Sequence, residues 1–236
     1  WATKYMFHYR WHFKEDAENA ASLLPLNHNA SLPDEHWKQF SEYIGPRQIE
    51  RLWVVGSNET TAAVIEDSYK RFLEIMELHL ANSPYLLGQR PSSSDFAIFG
   101  QLTQLIGFDP TSRNIAHGIS KRTVAWINSM EDLSGLKTND KDWIDVESIP
   151  KSLKDLFKEI GRVYVPALIA NAEAIKNDDD TWETEIDGVL WSQKAFPYQA
   201  KCLRWIREEF ENLSEVDRVK VLEILDGSNC ERLLEI

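Results

Sequence analysis

Pro84-Tyr85-Leu86-Leu87-Gly88-Gln89-Arg90-Pro91-Ser92-Ser93-Ser94-Asp95-Phe96-Ala97-Ile98-Phe99-Gly100 carries a leucine-glycine turn and then the start of a helix. Ser92 stands three residues before Asp95, the spacing of a capping box. The Ser92 side chain can accept from the Asp95 amide, and the Asp95 carboxylate can accept from the Ser92 amide while lying at the positive end of the helix. The helix it opens is predicted over Ser93 to Ile106, with Gly100 expected to permit a close helix crossing.

Upstream of this turn, Ala62, Ile65, Tyr69, Phe72, Leu73, Met76 and Leu80 recur at helical spacing, predicting a long amphipathic helix from Glu59 to about Leu80. Another helix is expected from Asp34, breaking at Gly45-Pro46 and resuming through Trp53 before Gly56-Ser57-Asn58 interrupts it. At the start, Ala2, Met6, Tyr9, Phe13, Ala17, Ala20 and Leu24 follow steps of three and four, which predicts one long helix ended by Pro25 with this stripe as core. Trp1, Tyr5, His8 and His12 form a neighbouring stripe of rings and ring nitrogens. The chain opens on Trp1 with this pattern already running, so it is expected to be cut from something longer.

Downstream, helices are predicted over Ser120–Met130 and Lys151–Lys176, the second kinked at Pro166, with a polar loop over Gly135–Glu147 between them. The period then changes to two. Trp182, Thr184 and Ile186 alternate with Glu183 and Glu185, and Asp187-Gly188 suits a type I′ hairpin turn that sets Ile186 against Val189 and Thr184 against Trp191. Two final helices are expected, from Tyr198 to Asn212 and from Ser214 to Leu225, with Asp217 three residues into the second and Gly227 as its stop.

The 236 residues include 26 Lys and Arg against 38 Asp and Glu, a net charge of −12, which disfavours nucleic acid and anionic membranes as partners. No apolar run approaches the roughly 20 residues of a membrane span, and no signal pattern precedes the first helix. With Cys202 and Cys230 as its two cysteines, the chain reads as a cytoplasmic protein with reduced thiols; Cys202 is expected to be buried in its helix.

The order of elements around the Leu-Leu-Gly turn and capping box resembles the C-terminal helical domain of the glutathione S-transferase family over about residues 1–133. The remaining 134–236 resemble a C-terminal extension found in certain bacterial members, packed on that domain. The fold class implied is all-α: a transferase-type helical bundle with an added helix, β-hairpin and two helices. In the family, glutathione is held and activated by an N-terminal thioredoxin-like domain. The resemblance therefore implies that this chain alone binds no cofactor and holds no catalytic residue. Glutathione is cosubstrate of the intact protein, the thioredoxin-like domain and a small electrophilic substrate are its partners, and a homodimer is allowed. A non-catalytic transferase-like interaction module is the alternative.

By the same resemblance the first helix supplies the electrophile pocket, with Tyr5, His8, Tyr9 and His12 as substrate-binding candidates and Ser92 and Asp95 as the structural capping box. Tyr5, His8 and His12 are expected to border an opening on a face distinct from the core. His8 and His12 also have the i, i+4 spacing of many zinc-ligand pairs, but no third ligand is evident beyond Glu15, so no metal is expected. The acidic run Asn177–Asp180 lacks calcium-loop spacing and reads as a solvated connection.

Overall fold

Ten α-helices and one two-stranded hairpin make up residues 1–235, the part described by the computed structural model, and 69% of the chain is helical. The chain is thus mainly α. In order, α1 spans Ala2–His12, α2 Lys14–His28, α3 Asp34–Ile49, α4 Ala62–Leu80, α5 Ser93–Gly107, α6 Pro110–Ile119 and α7 Lys121–Met130. Then α8 spans Lys151–Asn177, β1 Thr181–Ile186, β2 Val189–Lys194, α9 Pro197–Glu211 and α10 Glu215–Leu225. No helix among the described residues is long and apolar enough to cross a membrane.

The capping box forms at the start of α5. Asp95 is fully buried and gathers three donors: the Ser92 amide at 2.8 Å, the Ser92 hydroxyl at 2.5 Å and the Leu86 amide at 2.9 Å. One carboxylate therefore closes the helix end and fastens the preceding turn. Gly100 contributes no close crossing, since a Cβ there would meet nothing within 4 Å and the residue is exposed.

The expected long first helix is two. Phe13 is extended (φ −88°, ψ 129°), so the stripe from Ala2 to Leu24 is cut: Tyr9 enters the main core, whereas Ala17 and Ala20 pack with Trp11 in a separate cluster. Pro25 does not end α2, which continues to His28. Near a helix terminus the missing donor costs only one late bond, and the turn is closed by the Asn29 amide on the Pro25 carbonyl at 3.1 Å. Nor does Gly45-Pro46 break α3. Gly45 faces α2 instead, where a Cβ would stand 3.4 Å from that of Ala21. Asp109-Pro110, a helix-start pair, opens the unanticipated α6. Pro166 lies inside the single helix α8, as expected, and Asp178 closes it in the left-handed conformation (φ 62°), with Asn177–Asp180 exposed.

The hairpin has the expected register, Ile186 against Val189 and Thr184 against Trp191. Asp187 (φ 52°) and Gly188 (φ 79°) both take positive φ, as a type I′ turn requires. Trp182, Ile186 and Trp191 are buried beneath it, joining the same hydrophobic cluster as Tyr9, Ile65 and Leu73. Residues beyond 134 thus share the core of those before it. Lys4 of α1 fixes the placement, donating to the carbonyl of Val55 at 2.9 Å and to Gln193 Oε1 at 2.8 Å, with its ammonium 4.9 Å from the Trp191 ring centre.

A second cluster, Val165, Leu168, Leu203, Cys230 and Leu233, seats α9 and the last turn on α8. Gly161 makes this possible: a Cβ there would lie 1.7 Å from the Ser228 carbonyl oxygen. Both cysteines are free thiols, as expected, but their burial is reversed. Cys230 is buried, donates to the Phe157 carbonyl at 3.1 Å and has its thiol pKa raised by burial, whereas Cys202 is half-buried.

Candidate functional site

All four substrate-binding candidates sit on α1, and the helix does not present them as expected. It lies at the centre of the bundle, touching α2, α4, α5 and the 3-10 turn Leu52–Val55, so Tyr5, His8, Tyr9, Arg10 and Trp11 are all buried. A helix packed on several sides has no separate wet face. The supposed core residues Met6 and Phe13 are only half-buried, while Tyr5 and His8 are inside and His12 alone is exposed.

Tyr5 does border an opening. A mostly apolar cavity of about 280 Å³ lies between α1, α4, α5 and α8, walled by Tyr5, Phe72, Leu102, Leu105, Leu156 and Val163. Its charged member is Glu159, which is buried and doubly bonded by Arg71 (Nε–Oε2 2.8 Å, Nη2–Oε1 2.9 Å). Arg71 also reaches Asp187 in the hairpin turn at 2.9 Å. Ser68 links Tyr5 to this pair, 2.6 Å from the Tyr5 hydroxyl and 2.7 Å from Glu159 Oε1. A carboxylate only accepts, so the Ser68 hydrogen goes to Glu159 and Tyr5 must donate to Ser68. Burial raises the Tyr5 pKa, so its phenol stays protonated at neutral pH. The cavity is thus a greasy chamber with Tyr5, Tyr164 and the paired Glu159 among its walls, suited to a small apolar molecule bearing few polar groups.

Tyr9 stands beside it in the core, tilted against Tyr69 with ring centres 5.1 Å apart, and its hydroxyl has no hydrogen-bond partner. Burial, and next the charge of Glu66, push its pKa up. It does not line the cavity.

His8 and His12 point away from the cavity toward α4. Their rings stack with centres 4.6 Å apart. His8 Nδ1 lies 2.8 Å from Ser57 Oγ, and its Nε2 lies 3.5 Å from Glu66 Oε1 without a hydrogen-bond partner. Burial, then the proximity of His12, lower the His8 pKa to about 3, so at neutral pH the Glu66 contact is between a neutral imidazole and a carboxylate rather than an ion pair. The approach of Glu66 depends on the α1–α4 packing, which no local spacing in the sequence marks. Glu15, the local alternative, is exposed beyond the break at Phe13.

A further buried pair, Arg10 with Asp109, bonded at 2.8 and 2.9 Å, ties α1 to the start of α6. Its only signal in the sequence is an arginine amid apolar neighbours. No protein-family model, curated protein or solved structure matches this chain.

Proposed function

We propose that this chain is the helical, substrate-pocket half of a glutathione transferase-like cytoplasmic protein, in which a thioredoxin-like domain supplies glutathione and its activating residue. The observation that carries the reading is the apolar cavity with Tyr5 in its wall, bordered by the first helix where the family resemblance puts the electrophile. The Asp95 box at the head of α5, which fastens the Leu86 turn, supports it further. In this reading the chain holds no catalytic residue and does not bind glutathione alone. Its part is to concentrate and orient a small electrophile by burying apolar surface, at roughly 25 cal/mol per Å².

The test is conjugation of glutathione to chlorodinitrobenzene and a panel of small electrophiles, measured on the chain joined to its upstream thioredoxin-like domain. Leu102→Trp fills the cavity and is expected to raise KM for the electrophile at least several-fold while leaving that for glutathione unchanged. Absence of any glutathione-dependent turnover, or kinetics indifferent to Leu102→Trp, refutes the reading.

A second reading, a non-catalytic interaction module, is favoured by one feature. Phe40 and Tyr43 of α3 and Trp53 just beyond it are exposed, Tyr43 by 61%. Aromatic residues held at a surface are enriched where proteins meet. Retention of self-association or partner binding with no turnover, lost in Tyr43→Ser, would select this reading.

A further inference from the structure

We infer that His8, His12 and Glu66 form a binding site for a zinc-class divalent cation, unconnected with the glutathione reading. The nitrogens of the two rings and a carboxylate oxygen of Glu66 all lie within 4.8 Å of one another. Two imidazoles and one carboxylate are a donor set that zinc accepts, with bonds of about 2.0–2.2 Å in a tetrahedron. Bonds of that length at tetrahedral angles put ligand atoms roughly 3.3 Å apart. The His8 to Glu66 distance, 3.5 Å, is already close to this edge. The remaining closure falls on His12, which is exposed, and Glu66, whose side chain is 28% exposed, so both have room to turn.

The fixed member is His8. It is fully buried, and its Nε2 faces Glu66 with no hydrogen-bond partner. An unsatisfied ring nitrogen in the interior is an anomaly that calls for a reason. In the tautomer whose Nδ1–H donates to Ser57 Oγ, Nε2 presents its lone pair to the cluster. This is the arrangement in which an outer hydrogen bond sets the tautomer and ring orientation of a metal-bound histidine.

Ser57 is itself held. Gly56 before it adopts φ 72°, its carbonyl accepts from Thr61 Oγ1 at 2.6 Å, and the Trp191 ring leaves no space for a Cβ on Gly56. Three protein ligands leave a fourth position for water. His12 also opens onto a groove of about 580 Å³ shared with Trp11 and Ala17, which gives the ion a path in.

The test is isothermal titration of the chelator-treated chain with zinc ion alone, alongside cobalt(II) absorption spectra. Binding of one ion per chain is expected, with visible d–d bands of tetrahedral intensity for cobalt. His12→Ala and Glu66→Gln act at partly exposed positions and should preserve folding, and each is expected to weaken binding by at least about 10-fold. Ser57→Ala should weaken it by about 10- to 100-fold without removing a ligand. His117→Ala, an exposed histidine elsewhere, should change nothing. Failure to bind zinc, or binding that survives both His12→Ala and Glu66→Gln or is abolished by His117→Ala, overturns the site.

Discussion

Truncating Asp95 to alanine should be far more damaging than truncating its capping partner. The carboxylate accepts from the amides of Leu86 and Ser92 and from the Ser92 hydroxyl, all in the interior. In Asp95→Ala the Ser92 hydroxyl can turn to Ser94 Oγ, 2.7 Å away, but the two backbone amides have no substitute acceptor. A buried amide left unsatisfied costs about 1–3 kcal/mol. Relief of the desolvated carboxylate offsets part of the sum, which leaves an expected loss of about 3 kcal/mol. Ser92→Ala keeps both amide bonds to Asp95 and should cost about 1 kcal/mol. Urea unfolding followed by tryptophan fluorescence gives both values from the shift in midpoint at constant slope. An Asp95→Ala midpoint no lower than that of Ser92→Ala would refute the account of one carboxylate holding both helix and turn.

Gly161→Ala should detach the terminal segment from α8, because the added methyl lands on the Ser228 carbonyl; faster amide exchange over residues 226–234 would show it. Arg71→Met strands the buried Glu159 carboxylate and should destabilise by about 3 kcal/mol, with Glu159→Gln in the same chain recovering most of the loss. Cys202 should be alkylated well before Cys230 in the native protein, and both without reductant, as read by intact mass. His8 contributes a pH dependence. Its folded pKa of about 3 lies below its ordinary 6.5, so between those values the unfolded chain holds the extra proton and stability falls as pH drops through 6.5. His8→Gln, less stable at neutral pH, should lose this component, and an identical pH slope in both proteins would contradict the burial of a neutral ring.

Local signals survived translation into structure well. The Ser92–Asp95 box, the Asp187-Gly188 turn with its register and the Ser214 cap, which accepts from the Asp217 amide at 3.2 Å, depend on residues within a few positions of one another. Prolines and glycines misled where tertiary packing overrode them: Gly45 serves the α2 contact, and Pro25 and Pro46 lie inside helices. The least legible feature was which face of α1 is wet. Periodicity reports a two-sided helix, and α1 is enclosed on several sides, so Tyr5 and His8 could not be separated from Tyr9 by spacing alone. Glu66 was illegible for a related reason, since nothing in α4 marks one of its carboxylates as meeting His8 across the helix pair.

The position of α1 carries a cost during synthesis. Its Lys4 ends up bonded to Gln193, 189 residues later in the chain. At roughly 5–20 residues per second on the ribosome, an interval of about 10–40 s separates the emergence of α1 from that of its hairpin partner. Through that interval Trp1 and Lys4 lack Trp191 and Gln193 of the hairpin, whereas Tyr9 meets Tyr69 and Trp11 meets Ala17 much sooner. The nascent chain must keep the start of this helix from sticking to its neighbours until the second half arrives. Slower translation of the α8–β2 region would lengthen this exposure, and soluble yield would then depend on holdase chaperones more than the stability of the finished protein suggests.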